Sequence, residues 1–372
     1  MKRAGLLLLL GLAPACGNFA DPSTVVDLRV LAVETDPSEV VLKVNGLPAD
    51  PLNASLATLE AITIDPASIP TIHLTPLVLD PRPAAAGVPI TYSLTACPND
   101  PYGAAPPAGG GGNVDPSGGA HTTVGSTLCD GARVSWPLGD HIPADGPHDV
   151  TLTPAQLLQA FQTDIYLDQY GRPHGGFDLG LPINLELTIT SGAGTTVAIK
   201  RVLFWAQPLP GQKVNVIPTI PQIVTYPDRT EDWAPLGTQG TLDAGTPAHV
   251  PLGGQLWLQP ILLDAERESY VTTVIERDPP YLAVPDVVAH ERIRYAFYTT
   301  AGHFDPARTV SELAPGVTGT VHLESRYVPP SSLDGVRTDA SGAAVADVWI
   351  VVRDDRGGES WVQRQIVVDP GP

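Results

Sequence analysis

The chain has 372 residues and is strongly acidic, since 40 Asp and Glu oppose 21 Lys and Arg for a net charge of −19 at pH 7. This balance excludes nucleic acid as a partner, because nucleic-acid binding requires clustered positive charge. The 40 prolines and 36 glycines exclude long helices over most of the chain, and the length predicts about two domains.

The first residues have the pattern of an export signal. Met1, Lys2 and Arg3 make a short basic start, and residues 6–12 are almost wholly apolar. This apolar run is too short for a permanent membrane helix, which needs about 20 residues. Small residues then precede a cysteine in the segment LAPACG, which ends at Gly17.

The segment around Cys16 resembles the lipobox of bacterial lipoproteins, in which the cysteine is acylated and becomes the new N-terminus. The resemblance implies a signal peptide over 1–15, a lipidated Cys16 and a tether over 16–24. A residue other than Asp after the cysteine, here Gly17, implies the outer membrane. Several acyl chains on one cysteine would anchor the protein stably. The alternative is an ordinary cleaved signal peptide with an incidental cysteine.

The first β domain is expected to begin near Val25. The segment TVVDLRVLAVETDP is typical of an opening strand that ends at a proline turn. Further strands are expected at 71–80 (TIHLTPLVLD) and 89–96 (PITYSLTA). The apolar alternation in 71–80 slips by one residue at Pro76, which predicts a bulge there.

Two cysteines remain once Cys16 carries lipid. Cys97 and Cys129 form an even pair in a chain exported to an oxidising compartment, which predicts a disulfide between them. The enclosed segment is rich in Gly and Pro, and closing a loop of this length stabilises the fold by about 3 kcal/mol in the chain-entropy model. Metal binding by these two cysteines is the alternative, but the close CxxC spacing of zinc sites is lacking.

A helix is expected after the cysteine loop. Thr153 is a candidate N-cap, Pro154 suits the first helical position, and one face is apolar at Leu157, Leu158 and Phe161. The alternating segment INLELTIT, the turn at 191–194 and the strand that ends at 204–205 then predict a closing hairpin.

The second copy follows a Pro- and Gly-rich boundary at 208–213. Its opening strand is expected within KVNVIPTIPQIVTYPD, and the strand at 255–264 (QLWLQPILLD) repeats the pattern of 71–80, including the slip at Pro260. The segment RIRYAFYT corresponds in pattern and order to PITYSLTA in the first copy. The segment GTVHLES predicts one more strand. A closing hairpin with a turn at 354–358 ends the copy. The same order of elements twice predicts two tandem copies of one β domain.

These strand pairs, such as VWIVVRDDRGGESWVQRQIVV, resemble the last two strands of bacterial Ig-like and PKD-like modules. The layout from the lipobox through LTPLVLDP to NVIPTI resembles Gram-negative envelope lipoproteins with tandem Ig-like domains. The resemblance implies an all-β chain with two tandem Ig-like β-sandwich domains. The expected domains are 25–207, with an insertion over 97–180 that carries the disulfide loop and one short helix, and 214–369 after the linker at 208–213. The resemblance brings no catalytic residues with it.

A search for catalytic chemistry finds no GxSxG elbow, no P-loop and no HExxH site. His121, His141, His148 and His174 crowd into the insertion with nearby Asp residues, which makes a metal or acid–base site the functional alternative to solvated loop histidines. Asp354 and Asp355 are candidates for Ca²⁺, although Asp is also what tight turns require. No metal and no cofactor is predicted.

Two tryptophans are candidates for a contact patch. Trp136 and Trp233 lie in or near loops, where large rings are typical binding anchors. The alternative is that they cap the open ends of a sandwich core.

Together these patterns predict a non-catalytic, lipid-anchored cell-envelope protein, placed at the outer membrane, that binds or spaces an unidentified envelope protein or glycan. Carbohydrate or peptidoglycan binding through the loop aromatics is the alternative function. A secreted metal-dependent hydrolase that uses the insertion histidines is the third.

Overall fold

The computed structural model describes residues 21–48, 58, 61–98, 128–129, 132–167, 173–206, 213–262, 268–275, 283–312 and 321–371. These residues form strands with little helix, so the expectation of an all-β chain is confirmed. The export signal and Cys16 lie outside the described residues. Within the described part of the chain, no helix has the length and the apolar character that crossing a membrane requires.

The first half of the molecule comprises residues 29–205. Its strands are β1 (Arg29–Asp36), β2 (Glu39–Val41), β3 (Val44–Asn45), β4 (Thr63–Ile64), β5 (Ile72–Leu79), β6 (Thr91–Pro98), β7 (Trp136–Pro143), β8 (His148–Val150), β9 (Ile165–Leu167), β10 (Pro173–Gly175), β11 (Leu181–Ser191) and β12 (Gly194–Trp205). A three-stranded sheet β1-β5-β8 faces a five-stranded sheet β2-β12-β11-β6-β7, and their inner faces bury one apolar core.

The second half comprises residues 223–369. Its strands are β13 (Ile223–Tyr226), β14 (Asp228–Arg229), β15 (Pro235–Leu236), β16 (Gly240–Thr241), β17 (Ala248–Pro251), β18 (Leu256–Pro260), β19 (Ser269–Ile275), β20 (Ala283–His290), β21 (Arg294–Thr299), β22 (His303–Asp305), β23 (Arg308–Val310), β24 (Ser325–Val328), β25 (Val345–Arg353) and β26 (Glu359–Asp369). Two five-stranded sheets, β16-β13-β18-β24-β22 and β17-β26-β25-β21-β23, enclose a second apolar core.

The two halves share a strand order. In the first half β2 pairs parallel with the last strand β12, and in the second half β17 pairs parallel with the last strand β26. The sequence β2-β12-β11-β6 in one sheet therefore corresponds to β17-β26-β25-β21 in the other. This correspondence supports the prediction of tandem copies, and the assignment of each copy as an Ig-like domain stays a prediction.

The predicted bulge at Pro76 is wrong. Pairing of β1 with β5 runs through Pro76 without a shift, and the irregularity lies in β1, where Leu31 is the extra residue. The second strand with this pattern, β18, ends at Pro260, which pairs with Ile223, so the strand expected at 255–264 stops at the proline instead of continuing past a bulge. The alternation slips at Pro76 because Leu77 and Leu79 lie on the outer face of β5, where the second half covers them. An apolar residue on both faces of a strand indicates burial on both sides.

The segment predicted as an insertion contributes strands to both sheets of the first half. β7 extends the five-stranded sheet beside β6, and β8 extends the three-stranded sheet beside β5. The predicted helix α1 (Pro154–Thr163) is confirmed with Thr153 as N-cap. The Thr153 hydroxyl accepts from the Gln156 N–H at 3.2 Å, and the Gln156 side chain accepts from the Thr153 N–H at 2.8 Å, which is a capping box. A second helix, α2 (Gly176–Leu179), has only four residues.

The Cys97–Cys129 disulfide is confirmed, with the two Cα atoms 5.5 Å apart. Both cysteines are buried, and the Cys129 N–H donates to the Glu186 carboxylate at 2.9 Å. The bridge therefore ties the start of the cysteine loop at β6 to a residue held against β11.

The opening strand of the second half begins later than its sequence pattern suggests. β13 starts at Ile223, and residues 213–222, which include Pro218 and Pro221, form no strand. This segment runs instead along the surface buried between the two halves, which we call the seam.

Candidate functional site

The insertion histidines do not form a common site in the part of the chain that is described. His141 is exposed and pairs only with the adjacent Asp140 at 2.9 Å, and His148 lies half-buried on the edge strand β8. Asp149 pairs instead with His73 at 2.7 Å. His121 and the side chain of His174 lie outside the described residues. Nowhere in the described ranges do three His, Cys, Asp or Glu side chains come together as a metal ion requires.

The calcium candidates Asp354 and Asp355 are engaged by protein groups. One Asp354 oxygen accepts from the N–H groups of Arg356 and Gly358, both at 2.8 Å, and the other accepts from the Asn215 amide at 3.0 Å. Asp355 lies 3.6 Å from the Arg292 guanidinium. Asp354 thus shapes the turn between β25 and β26 rather than presenting free oxygens to a cation.

That turn, residues 354–358, is the centre of the seam, and we call it the closing turn. Its Arg356 is only 6% exposed and contacts three carboxylates: Glu39 of the first half, Glu268 at 3.3 Å and Glu291 at 3.2 Å. The carbonyl of Lys213 accepts from the same guanidinium. One side chain therefore joins the first half, the connecting segment and the second half.

A second buried ion pair crosses the seam beside the closing turn. Lys200 on β12 donates to the Gly357 carbonyl at 2.8 Å and lies 3.2 Å from Glu359 on β26. Both side chains are 1% exposed. Glu359 also contacts Arg353 and accepts from the Val33 N–H at 3.1 Å. Because a buried charge without a partner is costly, Lys200 depends on the second half of the molecule.

Both carboxylate oxygens of Glu39 are engaged within the seam. One carboxylate oxygen accepts from the Trp205 indole N–H at 2.6 Å, and the other accepts from the Asn215 N–H at 2.7 Å in addition to binding Arg356. An apolar cluster completes the contact, with Val25, Leu31 and Ala32 packed against Ala296, Trp349 and Val351.

Three carboxyl groups face the single guanidinium of Arg356. The pKa values of the carboxyl groups in the seam reflect this excess. Burial raises the pKa of Glu291 to about 8, and nearby Asp354 adds to the rise while Arg356 opposes it. Burial also raises the pKa of Asp354 to about 6, against the hydrogen bond from Asn215. Near pH 7 Glu291 therefore retains its proton, which lets three carboxyl groups surround one guanidinium.

The two candidate tryptophans are both packed. Trp136 lies partly buried on β7 against the first core. Trp233 lies between two side chains, with the Arg229 guanidinium carbon 2.9 Å from its ring centroid and the His322 ring stacked at 3.7 Å. Because both partners lie over its ring, Trp233 offers no free face on which a sugar could stack. Carbohydrate binding through these rings stays a prediction that their placement does not favour.

Trp233 belongs to a ladder of cations and rings in the second half. The Arg229 guanidinium lies between Trp233 and Trp257, 3.9 Å from the Trp257 ring centroid. The Arg326 guanidinium lies 5.9 Å from the same centroid. Cations over indole faces are stabilised by the ring quadrupole. The backbone of Trp233 has a φ of +65°, a left-handed conformation uncommon for a residue with a side chain, and the N–H of Trp233 donates to the Thr230 carbonyl at 3.0 Å.

Beside this ladder lies a cleft of about 470 Å³, which we call the Trp233 cleft. Its polar lining consists of Asp232, Gln259, Ser311, His322 and Glu324, and its apolar lining of Trp233, Ala234, Pro235, Leu262, Val321 and Leu323. Glu324 is 4% exposed, and its Oε1 lies 3.3 Å from His322 Nδ1 and 3.9 Å from Arg229 Nη1.

Sequence reasoning did not identify Glu39, Lys200, Arg356, His322 or Glu324. One signal was present: Lys200 lies on the strand face that carries Ala198, Val202 and Phe204, all fully buried. A lysine on an otherwise apolar face implies a buried partner. The other residues lie in turns and short strands where no spacing marks them.

Comparison with known proteins assigns no relative: no family model matches the chain, and no curated protein matches its sequence.

Proposed function

We propose that this protein is a non-catalytic module of the cell envelope, anchored through a lipidated Cys16, that binds or spaces a partner by means of two β-sandwich units held in a fixed relative orientation. The observation that carries the proposal is the seam. Two buried charge clusters, at Arg356 and at Lys200, join the halves, and each would be costly to expose or separate.

A spacer or presenting module requires such rigidity. Domains in one chain that meet through small polar interfaces move relative to each other by default. Here Arg356 of the second half contacts Glu39 of the first, and Lys200 of the first half contacts Glu359 of the second, so rotation about the linker would break both pairs. Any surface presented by the second half is thereby held at a set orientation to the anchored end.

The lipid anchor is tested by intact mass and detergent partitioning of the protein from its native membrane. We expect a mature chain that begins at Cys16, carries added acyl mass and enters the detergent phase. Cys16→Ser should lose both the acyl mass and the partitioning.

The matched control is the double variant Cys97→Ser with Cys129→Ser, which removes the disulfide and leaves Cys16 in place. It should retain the acyl mass. An unmodified wild-type chain that stays in the aqueous phase would refute the anchor and favour a released protein instead.

A further inference from the structure

The polar groups of the Trp233 cleft are arranged mainly as hydrogen-bond acceptors. Glu324 brings a buried carboxylate, and Asp232 brings an exposed one at the mouth. His322 Nδ1 lies 3.3 Å from the Glu324 oxygen, so that ring nitrogen is directed at the carboxylate. A ligand rich in donors therefore suits the cleft, and an anion does not.

Glu324 keeps acceptor capacity for such a ligand. The Arg229 Nη1 atom lies 3.9 Å from Glu324 Oε1, beyond hydrogen-bond distance, because the guanidinium is held between the faces of Trp233 and Trp257. Within the described residues this buried Nη1 has no hydrogen-bond acceptor. The ladder thus orients the Glu324 carboxylate, and the carboxylate can still accept hydrogen bonds from a ligand.

Part of the cleft lining is apolar. Leu262, Val321 and Leu323 are half-buried and line it together with Pro235. An apolar wall that leads to a carboxylate matches an aliphatic chain with a cationic head, since methylene groups pack on apolar surface while the charge keeps a polar partner. The volume lies in the range of small-ligand sites, about 300–1,000 Å³.

We propose that the Trp233 cleft binds a primary amine on an aliphatic stem, with the ammonium group on Glu324 and Asp232 and the stem along Leu262, Val321 and Leu323. The amine has two possible sources, a lysine side chain of a partner or a small free amine. The proposal deepens the binding role proposed above and depends on it for its biological meaning.

The test uses isothermal titration of the whole exported chain with three compounds that share one stem: pentylamine, pentanol and pentanoate. We expect pentylamine to bind with an affinity of about millimolar or tighter, pentanol about tenfold more weakly, and pentanoate not at all. Raising the salt concentration should weaken pentylamine binding, because the contact at the mouth is screened.

Three variants locate the site. Glu324→Gln removes the buried charge and should weaken pentylamine binding about tenfold or more. Ala234→Trp fills the exposed mouth without altering any charge and should abolish binding even if Glu324→Gln disturbs the ladder. Asp334→Asn, an exposed carboxylate outside the cleft, is the matched control and should bind as the wild type does. Near-ultraviolet circular dichroism verifies that the tryptophan ladder is intact in Glu324→Gln and Asp334→Asn, and far-ultraviolet circular dichroism verifies the fold of Ala234→Trp.

Titration with cadaverine and with N-acetyl-lysine methylamide separates the two sources. Tighter binding of the lysine derivative indicates a partner side chain, and tighter binding of cadaverine indicates a free amine. Equal binding of pentylamine and pentanol, binding of pentanoate, or pentylamine binding that survives Ala234→Trp would each overturn the proposal. Such a failure leaves the lipid anchor intact, because the Cys16→Ser experiment tests it separately.

Discussion

Two turns occupy corresponding positions in the two halves of this molecule. An aspartate fixes each turn, and the pKa values of the two aspartates are shifted in opposite directions. The turn at 191–194 joins β11 to β12, and the closing turn at 354–358 joins β25 to β26. The first is fixed by Asp80, which accepts from Arg82 at 2.7 Å through each oxygen and from the Ser191 hydroxyl at 2.5 Å. The second is fixed by Asp354 inside the seam.

The electrostatics of the two aspartates differ accordingly. Hydrogen bonds from the Arg82 side chain lower the pKa of Asp80 to about 2, whereas burial raises the pKa of Asp354 to about 6. Asp80 accepts from the Arg82 guanidinium, whereas the hydrogen bonds to Asp354 come from the Asn215 amide and from the backbone N–H groups of Arg356 and Gly358. A local ion pair stabilises the charged form of Asp80, whereas burial in the seam disfavours the charged form of Asp354 despite the hydrogen bonds that it accepts.

Both turns are constrained in shape, but by different parts of the chain. Gly357 has a φ of +97°, and a Cβ on Gly358 would overlap the Asp354 carboxylate and the Pro218 ring. In the turn at 191–194 a Cβ on Gly192 would overlap the Ala84 carbonyl, which belongs to the same half. The first turn could thus be formed by its own half, and the closing turn is complete only when both halves are in place.

The largest effect is expected from Arg356→Met. Removing the guanidinium leaves Glu39, Glu268 and Glu291 buried around one another, which should lower the free energy of unfolding by about 3–5 kcal/mol. Small-angle scattering should show a larger radius of gyration as the halves separate. Urea unfolding measures the first quantity.

The matched control for Arg356→Met is Arg337→Met. Arg337 binds Asp347 through two nitrogens but is 49% exposed, so its loss should cost about 1 kcal/mol or less. Equal losses for the two variants would show that the seam contributes no more than a surface pair.

A smaller effect concerns pH. Because the pKa of Asp354 is raised to about 6 in the folded protein, the folded state binds a proton more tightly than the unfolded state. Its contribution to stability is full below about pH 4 and is lost as the pH rises to 6. The raised pKa of Glu291 extends this loss of stability to about pH 8. Urea unfolding between pH 4 and 8 should show it.

The variants Asp354→Asn and Glu291→Gln should each flatten the pH dependence within their own window, about pH 4 to 6 for Asp354 and about pH 4.5 to 8 for Glu291. Asp334→Asn serves as an exposed control. An unchanged slope in both seam variants would contradict the assignment of these protons.

The smallest effect is expected from Asp80→Asn, and its sign is opposite. Because the pKa of Asp80 is lowered to about 2, its contribution is present above about pH 4 and is lost as the pH falls to 2. The substitution Asp80→Asn should lower the free energy of unfolding by about 1 kcal/mol at pH 7, since Arg82 is partly exposed. Acid unfolding followed by circular dichroism should be shallower in the variant, and a steeper transition would contradict the prediction.

Local patterns sufficed where the physical cause was local. Thr153 and Pro154 predicted α1 because a capping box needs only neighbouring residues, and the alternation of Leu185, Leu187 and Ile189 predicted β11. The disulfide followed from cysteine number and compartment. The slip at Pro76 was misread as a bulge, because one sequence cannot distinguish a shifted register from a strand buried on both faces.

Local sequence patterns could not predict the side-chain contacts of the seam and of the Trp233 cleft. Arg356 looks like an ordinary turn residue, and its partner Glu39 lies 317 positions away in the chain. Asp354 looks like a turn or calcium residue and is in fact buried against Asn215. Trp233 was a candidate for an exposed ring, and only the approach of Arg229 and His322 covers it.

The sequence by itself determined the all-β class, the repeated order of strands, the position of α1 and the cysteine pair, since periodicity, caps and turn residues act over a few positions. Tertiary structure alone decided which charges are buried, which carboxyl retains its proton and where a cleft forms. Those properties depend on desolvation and on contacts between residues hundreds of positions apart, which no local pattern encodes.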